Sequence, residues 1–393
     1  PPLIMIKNIK EIIAIIVAAA FILFCSIDAA GCTSAIIGAE ANPSGRPILW
    51  KHRDTSTIDN QVEYIAPSEA GFGYVALFNA VDKDLKEAWI GMNDAGFAVM
   101  NTASYNIKDD RIPAKKMDKE GILMSKALRT CRTVEDFARF LESYPRPMGV
   151  EANFGAIDAE GNGAFFETNN HSFKRYDLKD EPDHVLIRSN YSHSGRKGEG
   201  YGFVREANAC SLLAPYIDER TVTPEVLTEE VSRSFYHDLK KRDYRYAGDR
   251  WVVDQDFIPR YKSTATVAIE GCVPVPPGEK ITPSRVAEEY VMWTGLGYPP
   301  VSEIRAVRCS PDGVDRELRG VLPGGHSPLS DEAKRLRDEV FPIKKGNGDK
   351  YIDMLKLYNP EGTGYAQRAI EKNHETYRIE NARRAGRCVG NAR

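Results

Sequence analysis

The first 31 residues differ in character from the rest of the chain, and this difference constrains where a folded domain can begin. Lys7 and Lys10 precede an almost unbroken apolar run from Ile12 to Cys25. The run is shorter than the ~20 residues of a membrane-spanning helix and has the length typical of a secretory signal peptide. We therefore expect residues 1–31 to be a leader and the folded domain to begin at Cys32.

The residues just before Cys32 favour cleavage at that point. Ala29 and Gly31 lie at positions −3 and −1, where signal peptidase prefers small side chains. Small residues before a cysteine also mark lipidated proteins, so a lipid anchor on Cys32 is an alternative, as is a leader retained as a membrane anchor. The expected location is secreted or periplasmic, with membrane association only through the leader or such an anchor.

The balanced charge argues against a nucleic-acid partner. The 393 residues carry 53 Lys+Arg and 56 Asp+Glu, a net charge of −3, so the sequence predicts no basic face. With 42% hydrophobic residues, the chain can build one large domain with a substantial core. The cysteines other than Cys25 and Cys32, like the scattered histidines, lack metal-ligand spacing. We therefore expect no metal, no cofactor and no dense disulfide framework.

Alternating blocks of strand-like and helix-like sequence predict a layered α+β domain over residues 32–393. Predicted strands are 33–38, 48–53, 73–80, 87–92, 97–104, 153–158, 163–168, 173–177, 184–189, 263–269 and 290–296. Predicted helices are 119–130, 134–144, 329–341, 349–358 and 364–385, and 199–246 has a helical character. No interdomain linker is evident, and residues from about 325 to 393 form a helical C-terminal extension.

A cysteine at a chain terminus combines two catalytic groups on one residue. Its sulfur is a nucleophile, and its α-amine, with an ordinary pKa of ~8, can act as the general base. Such a residue needs a carboxylate to orient the amine and amide donors to stabilise an oxyanion. Cleavage before Cys32 would therefore create the core of an acyl-transfer site.

The turn-favouring residues Asn42-Pro43-Ser44-Gly45 lie between the first two predicted strands, which we therefore expect to form a hairpin. The run Lys51-His52-Arg53-Asp54 ends the second of these strands, and the hairpin would bring it back beside Cys32. Asp54 is the candidate for orienting the amine, and Lys51 is the candidate cation of the site. Alternation along a strand puts Lys51 and Arg53 on one face and His52 and Asp54 on the other. A solvated strand end is the alternative interpretation of this run.

Two asparagines each follow an apolar strand. Asn101 follows Phe97-Ala98-Val99-Met100, and Asn190 follows the predicted strand 184–189. A side-chain amide at such a position is either a turn residue or a donor directed into a site. The local sequence leaves both interpretations open, and a donor at either position could serve an oxyanion hole.

Taken together, these segments resemble the cysteine N-terminal-nucleophile (Ntn) amidohydrolases. The matching elements are Cys-Thr-Ser at Cys32, residues 45–54, the glycine-rich turn and strand of residues 91–101 that end in asparagine, and residues 185–191. The group includes choloylglycine hydrolases, penicillin V acylases, acid ceramidase-like amidases and the isopenicillin-N acyltransferase family. Residues 293–299 resemble a late strand of the acyltransferases.

The resemblance implies a fold and a reaction. The fold is a four-layer αββα sandwich of two antiparallel sheets between helix layers. The reaction is hydrolysis or transfer at a linear amide C–N bond through an acyl-thioester on Cys32, with Asn101 and Asn190 as oxyanion donors. Because relatives process themselves, self-cleavage of the Gly31–Cys32 bond joins signal-peptidase cleavage as a route to the mature protein.

Departures from the pattern leave the substrate open. Lys51 stands where bile salt hydrolases have arginine, which argues against bile salts because the bidentate fork is lost. The family's late arginine corresponds to Arg260 or Lys262. The candidate substrates are small-molecule amides, namely an N-acyl amino acid, a β-lactam, a conjugated bile acid or a short peptide. A related dipeptidase and a non-catalytic lipoprotein acylated at Cys32 are the alternatives, and the sequence leaves open whether the chain forms a homo-oligomer.

Overall fold

The computed structural model describes residues 31–343, 347 and 349–390. The predicted leader lies outside these residues except for Gly31. Within the described part, no helix is both long enough and apolar enough to cross a membrane. From Gly31 onward the chain forms one compact unit.

Strands dominate the first half of the described chain, and helices dominate its end. The strands are β1 Thr33–Ile37, β2 Ile48–Asp54, β3 Asn60–Ile65, β4 Tyr74–Asn79, β5 Ile90–Asn93, β6 Ala98–Ala103, β7 Ala152–Ile157, β8 Gly163–Thr168, β9 Phe173–Asp177, β10 Val185–Arg188, β11 Tyr236–His237, β12 Arg242–Asp243, β13 Trp251–Val253, β14 Ser263–Glu270, β15 Val291–Leu296, β16 Ile304–Val307 and β17 Tyr351–Asp353. The α-helices are α1 Glu120–Thr130, α2 Val134–Ser143, α3 Phe203–Asp218, α4 Pro283–Glu289, α5 Pro328–Val340, α6 Met354–Leu357 and α7 Tyr365–Gly390, and Val226–Val231 is a π-helix.

The strands of the described residues form two large sheets. One has six strands in the order β10-β1-β2-β14-β15-β16, and the other has seven in the order β3-β4-β5-β6-β7-β8-β9. Every neighbouring pair in both sheets is antiparallel. The seven-stranded sheet is a meander in chain order, in which the connection from β6 to β7 contains α1 and α2 and shorter loops join the other strands. The prediction of two antiparallel sheets is confirmed.

Each sheet buries one face against the other sheet and its second face against helices. Between the sheets, Leu49 of β2 and Val267 of β14 pack in one core with Met100 of β6 and Phe165 of β8. A second core joins the outer face of the seven-stranded sheet to α1 and α2, and a third joins the six-stranded sheet to α3 and α7. Full burial of such side chains contributes about 1.5–3 kcal/mol each. The layers therefore follow the predicted αββα order.

Two local predictions differ from the structure, and some strands were not predicted. The segment 199–246 is not helical throughout, because it ends in the short β11–β12 pair. Residues 349–358 begin as β17, which pairs with β13 before the chain turns into α6. The polar strand β3 was not predicted, because half of its residues are partly exposed at the sheet edge and show no apolar run.

Candidate active site

The β1–β2 hairpin positions Cys32. Thr33 pairs with His52 and Ser34 pairs with Lys51, so Cys32 lies beside the end of β2. The Cys32 thiol is buried and donates a hydrogen bond to the backbone oxygen of Asp54, with 3.8 Å between sulfur and oxygen. The local hairpin is therefore sufficient to bring Cys32 and Asp54 together.

The Asp54 carboxylate is buried and accepts three hydrogen bonds. Arg260 donates to Oδ2 from Nε at 3.0 Å and from Nη2 at 2.5 Å, and the Ser263 hydroxyl donates to Oδ1 at 2.6 Å. Arg260 Nη2 also donates to the Gly31 backbone oxygen at 3.3 Å. Arg260 thus links the Asp54 carboxylate to the residue that precedes Cys32, and a register shift between Ser263 and Ala265 forms a bulge beside this contact.

His52 lies on the same face of β2 as Asp54, as the alternation predicts. Its Nε2 is 2.9 Å from the Ser263 hydroxyl and 3.6 Å from Asp54 Oδ1. Burial lowers the pKa of His52 to about 4, an effect that outweighs the attraction of Asp54. An imidazole with this pKa is neutral at pH 7 and is poorly matched to general-base catalysis there.

Lys51 faces the seven-stranded sheet, away from Asp54. Its Nζ donates to Asn101 Oδ1 at 2.8 Å and to the Trp89 backbone oxygen at 2.9 Å. Burial lowers the pKa of Lys51 to about 7, although the negative charge available at Cys32 raises it. The predicted site residues Lys51 and Asn101 are therefore in direct contact across the two sheets.

The contact with Lys51 sets the orientation of the Asn101 amide. A lysine amine in its ammonium form can only donate, so Oδ1 faces it and Nδ2 lies on the other side of the amide group. Among the described residues, none accepts a hydrogen bond from Asn101 Nδ2. This buried amide can therefore offer N–H donors to a developing oxyanion.

Asn190 is completely buried, and both ends of its amide are engaged. Oδ1 accepts from Arg205 Nη2 at 2.8 Å, and Nδ2 donates to the Ala103 backbone oxygen at 2.9 Å. Nδ2 carries two hydrogens, so one N–H remains for another acceptor. Arg205 Nη1 also donates to the Cys32 backbone oxygen at 2.6 Å.

The structure adds residues that sequence reasoning missed or left undecided. Of the two candidates for the late arginine, Arg260 is the one that contacts Asp54. Ser263 and Arg205 were not predicted, because nothing in their local sequence separates them from ordinary strand and helix residues. Ser263 reaches the site because β14 pairs with β2, and Arg205 reaches it because α3 packs against β1.

Arg53 was also missed, and it shares the face of Lys51. Its guanidinium donates to Asn60 Oδ1 at 2.5 Å and to Asn79 Oδ1 at 2.8 Å, and it lies 5.1 Å from the Trp89 ring centroid. Burial lowers the pKa of Arg53 to about 10, so it remains cationic at neutral pH. The side of β2 that faces the other sheet thus carries two buried cationic groups near Cys32.

Two clusters of acidic side chains with a histidine lie away from these residues. Asp59, His326 and Asp331 converge, but Lys334 Nζ lies 2.5 Å from Asp59 Oδ1 and 3.2 Å from Asp331 Oδ1 and supplies a positive charge there. The other cluster, Asp109, Asp110 and His171, is largely exposed. Neither includes a predicted site residue, and neither has the closed ligand set of a structural metal centre.

No known protein-family profile matches the chain, and no curated protein matches it significantly. Similar solved structures include an N-acylethanolamine-hydrolyzing acid amidase ortholog from Caenorhabditis elegans, with a TM-score of 0.42 and 12% identity over 66% of this chain and 98% of that chain. A mutant conjugated bile acid hydrolase from Clostridium perfringens has a TM-score of 0.41 and 12% identity over 72% of this chain and 95% of that chain. Penicillin V acylase from Agrobacterium tumefaciens has a TM-score of 0.38 and 13% identity over 70% of this chain and 86% of that chain. These similarities are weak, and we base the function on the geometry of the site.

Proposed function

We propose that this protein is an exported amidohydrolase or acyltransferase whose nucleophile is the sulfur of an N-terminal Cys32. One observation carries the proposal. Cys32 immediately precedes β1, and its thiol contacts the end of β2 at Asp54, whose buried carboxylate is held by Arg260 and Ser263. A nucleophile at a strand start beside a fixed carboxylate is the arrangement that an amine-based acyl transfer requires.

Removal of residues 1–31, by signal peptidase or by self-cleavage, would free the α-amine of Cys32. In the uncut chain, Arg260 contacts both the Gly31 oxygen and the Asp54 carboxylate. The bond to be cleaved therefore lies next to the Arg260–Asp54 pair. The new amine would form beside this pair, where a carboxylate can orient it as a base.

The proposed reaction proceeds through a thioester. The Cys32 sulfur bonds to the amide carbonyl carbon while its proton passes to the Cys32 amine. Asn101 Nδ2 and the remaining N–H of Asn190 donate to the oxyanion. The C–N bond then breaks as the amine delivers the proton to the leaving nitrogen. Water or an acceptor amine attacks the thioester, the new C–O or C–N bond forms, and the C–S bond breaks to restore the thiol.

The charges around Cys32 support amides that carry a carboxylate. Arg205 and Arg260 contact the backbone on either side of the Gly31–Cys32 bond, and the buried Lys51 and Arg53 lie on the neighbouring strand. N-acyl amino acids, penicillin-type β-lactams, glycine-conjugated bile acids and dipeptides all bear a carboxylate. The substrate panel therefore consists of these four classes and a matched pair of amides. The pair is an N-acylglycine and the neutral N-acylethanolamine with the same acyl chain.

The test is hydrolysis of this panel by the wild type, Cys32→Ser and Cys210→Ser. Cys210 is an exposed free cysteine on α3 and serves as the matched control. We expect turnover by the wild type and the Cys210 variant, loss in the Cys32 variant, and an acyl adduct on Cys32 by mass spectrometry. Unchanged turnover in Cys32→Ser would refute the proposal, as would a wild type that hydrolyses no amide in the panel.

A further inference from the structure

Arg205 is a fully buried arginine in the first turn of α3, and its guanidinium joins two separate parts of the candidate site. Nη1 donates to the Cys32 backbone oxygen at 2.6 Å and to the Thr33 hydroxyl at 3.1 Å. Nη2 donates to Asn190 Oδ1 at 2.8 Å. Among the described residues, no carboxylate forms an ion pair with Arg205. Neutral acceptors receive the hydrogen bonds of Nη1 and Nη2, and Nε is buried without an acceptor. Burying a charge without an ion-pair partner lowers the stability of the folded protein. This cost suggests that Arg205 has a role beyond packing.

The charge of Arg205 determines which way the Asn190 amide faces. Burial lowers the pKa of Arg205 to about 10, with the neighbouring Arg260 as the next cause, so the guanidinium is still protonated at neutral pH. A guanidinium has donors only, and the asparagine must therefore present Oδ1 to it. Reversing the amide would set N–H groups against N–H groups, and this confines Nδ2 to the side where Ala103 accepts one hydrogen bond.

We infer that Arg205 is a positioning residue: its planar fork sets the distance between the Cys32 backbone and Asn190, so that the free amide N–H faces the carbonyl that the sulfur attacks. The inference rests on the function proposed above and assigns Arg205 no contact with the substrate. Lysine could not replace it, because a single ammonium cannot hold acceptors at the two ends of a fork.

The Arg205 guanidinium occupies space that a side chain at position 202 would fill, and the residue there is glycine. Gly202 caps α3 with a φ of +90°, a backbone conformation that favours glycine. A Cβ built there would lie 2.4 Å from Arg205 Nη2, closer than Cβ atoms approach other atoms in proteins. A side chain at position 202 would displace the guanidinium without removing its charge, which supplies a second way to perturb the same contact.

The test is a double-mutant cycle with Arg205→Lys, Asn190→Ala and the double variant. We expect Asn190→Ala to lower kcat by roughly 10²-fold and Arg205→Lys by at least roughly 10-fold, with KM changed less than about threefold. The double variant should lose clearly less than the product of the two single losses, because Arg205 acts in part through Asn190. Iodoacetamide should still label Cys32 in all three variants.

The matched control is Arg233→Lys. Arg233 is equally buried, pairs with Glu229 and donates to the Ser302 backbone oxygen, away from the site residues. We expect its kcat to stay close to that of the wild type even if its melting temperature falls. A fall in kcat equal to that of Arg205→Lys would show that loss of a buried arginine, rather than positioning, explains both, and would overturn the inference.

Two further outcomes overturn it. One is an Arg205→Lys variant with wild-type kcat, and the other is a double variant whose loss equals the product of the single losses. Should the Arg205 variants fail to fold, Gly202→Ala carries the test, since it should lower kcat while the charge of Arg205 remains. A folded Gly202→Ala with wild-type kcat then overturns the inference. Failure of the proposed function is distinguishable, because it appears in the wild-type arm as turnover of no amide at all.

Discussion

The buried lysine of the site makes the stability of this protein depend on pH in a defined direction. Lys51 is 1% exposed, and burial lowers its pKa from the ordinary 10.5 to about 7. Below pH 7 the lysine is protonated in both folded and unfolded protein, and the folded state bears the full cost of the buried charge. Between pH 7 and 10.5 only the unfolded state keeps the proton, so stability rises with pH across this window.

The magnitude follows from the gap between the two pKa values. About 3.5 pH units at about 1.36 kcal/mol each gives roughly 5 kcal/mol of stability regained between pH 7 and pH 10.5. Lys51→Met removes the charge while keeping a side chain of similar length. The substitution also deprives the oxygens of Asn101 and Trp89 of a donor, a pH-independent cost of about 1–3 kcal/mol for each buried acceptor.

The assay is urea unfolding of the wild type and Lys51→Met from pH 6 to pH 10. We expect the free energy of unfolding of the wild type, relative to the variant, to rise steadily above pH 7. Lys86→Met is the control, because Lys86 is exposed and its pKa is raised by Asp84, so its difference from the wild type should stay flat up to pH 9. Parallel curves for the wild type and Lys51→Met would refute the reasoning.

Three other predictions concern the reaction. Asp54→Asn should lower kcat by at least roughly 10²-fold, because we propose that the Asp54 carboxylate orients the Cys32 amine. His52→Ala should lower kcat far less, and a larger loss at His52 in steady-state kinetics would favour a cysteine–histidine pair. Asn101→Ala should lower kcat by roughly 10²–10³-fold with an unchanged melting curve. A variant with wild-type turnover would show that Asn101 has only a structural role. Intact mass spectrometry should show a mature chain beginning at an unmodified Cys32, and a lipid adduct or an earlier start would exclude the amine mechanism.

Local pattern was sufficient for part of this site. The turn residues between the first two strands predicted the hairpin that brings Asp54 to Cys32, because pairing of adjacent strands needs no information from distant parts of the chain. Strict alternation along β2 likewise separated Lys51 and Arg53 from His52 and Asp54. The pattern of strands and turns is compatible with two sheets, but only the resemblance to the Ntn amidohydrolases implied them.

The partners of these residues could not be predicted, because they come from distant segments. Asp54 and Arg260 are 206 positions apart, and Lys51 and Asn101 lie on different sheets. The contacts of the Asn190 amide with Arg205 and Ala103, which leave one amide N–H for an oxyanion, were not predicted. Each of these contacts depends on how layers pack, and packing geometry leaves no periodic signal in the sequence.

The sequence by itself predicted most strands and helices of the two sheets, a nucleophilic role for Cys32 and the proximity of Asp54. These depend on hydrophobic periodicity and turns, which act over a few residues. Tertiary structure alone decided three contacts. Lys51 donates a hydrogen bond to Asn101, Arg260 donates to Asp54, and Arg205 donates to both Cys32 and Asn190. The physical reason is that a buried cation needs acceptors at particular distances, and only the packing of two sheets and a helix layer places acceptors from distant segments around one side chain.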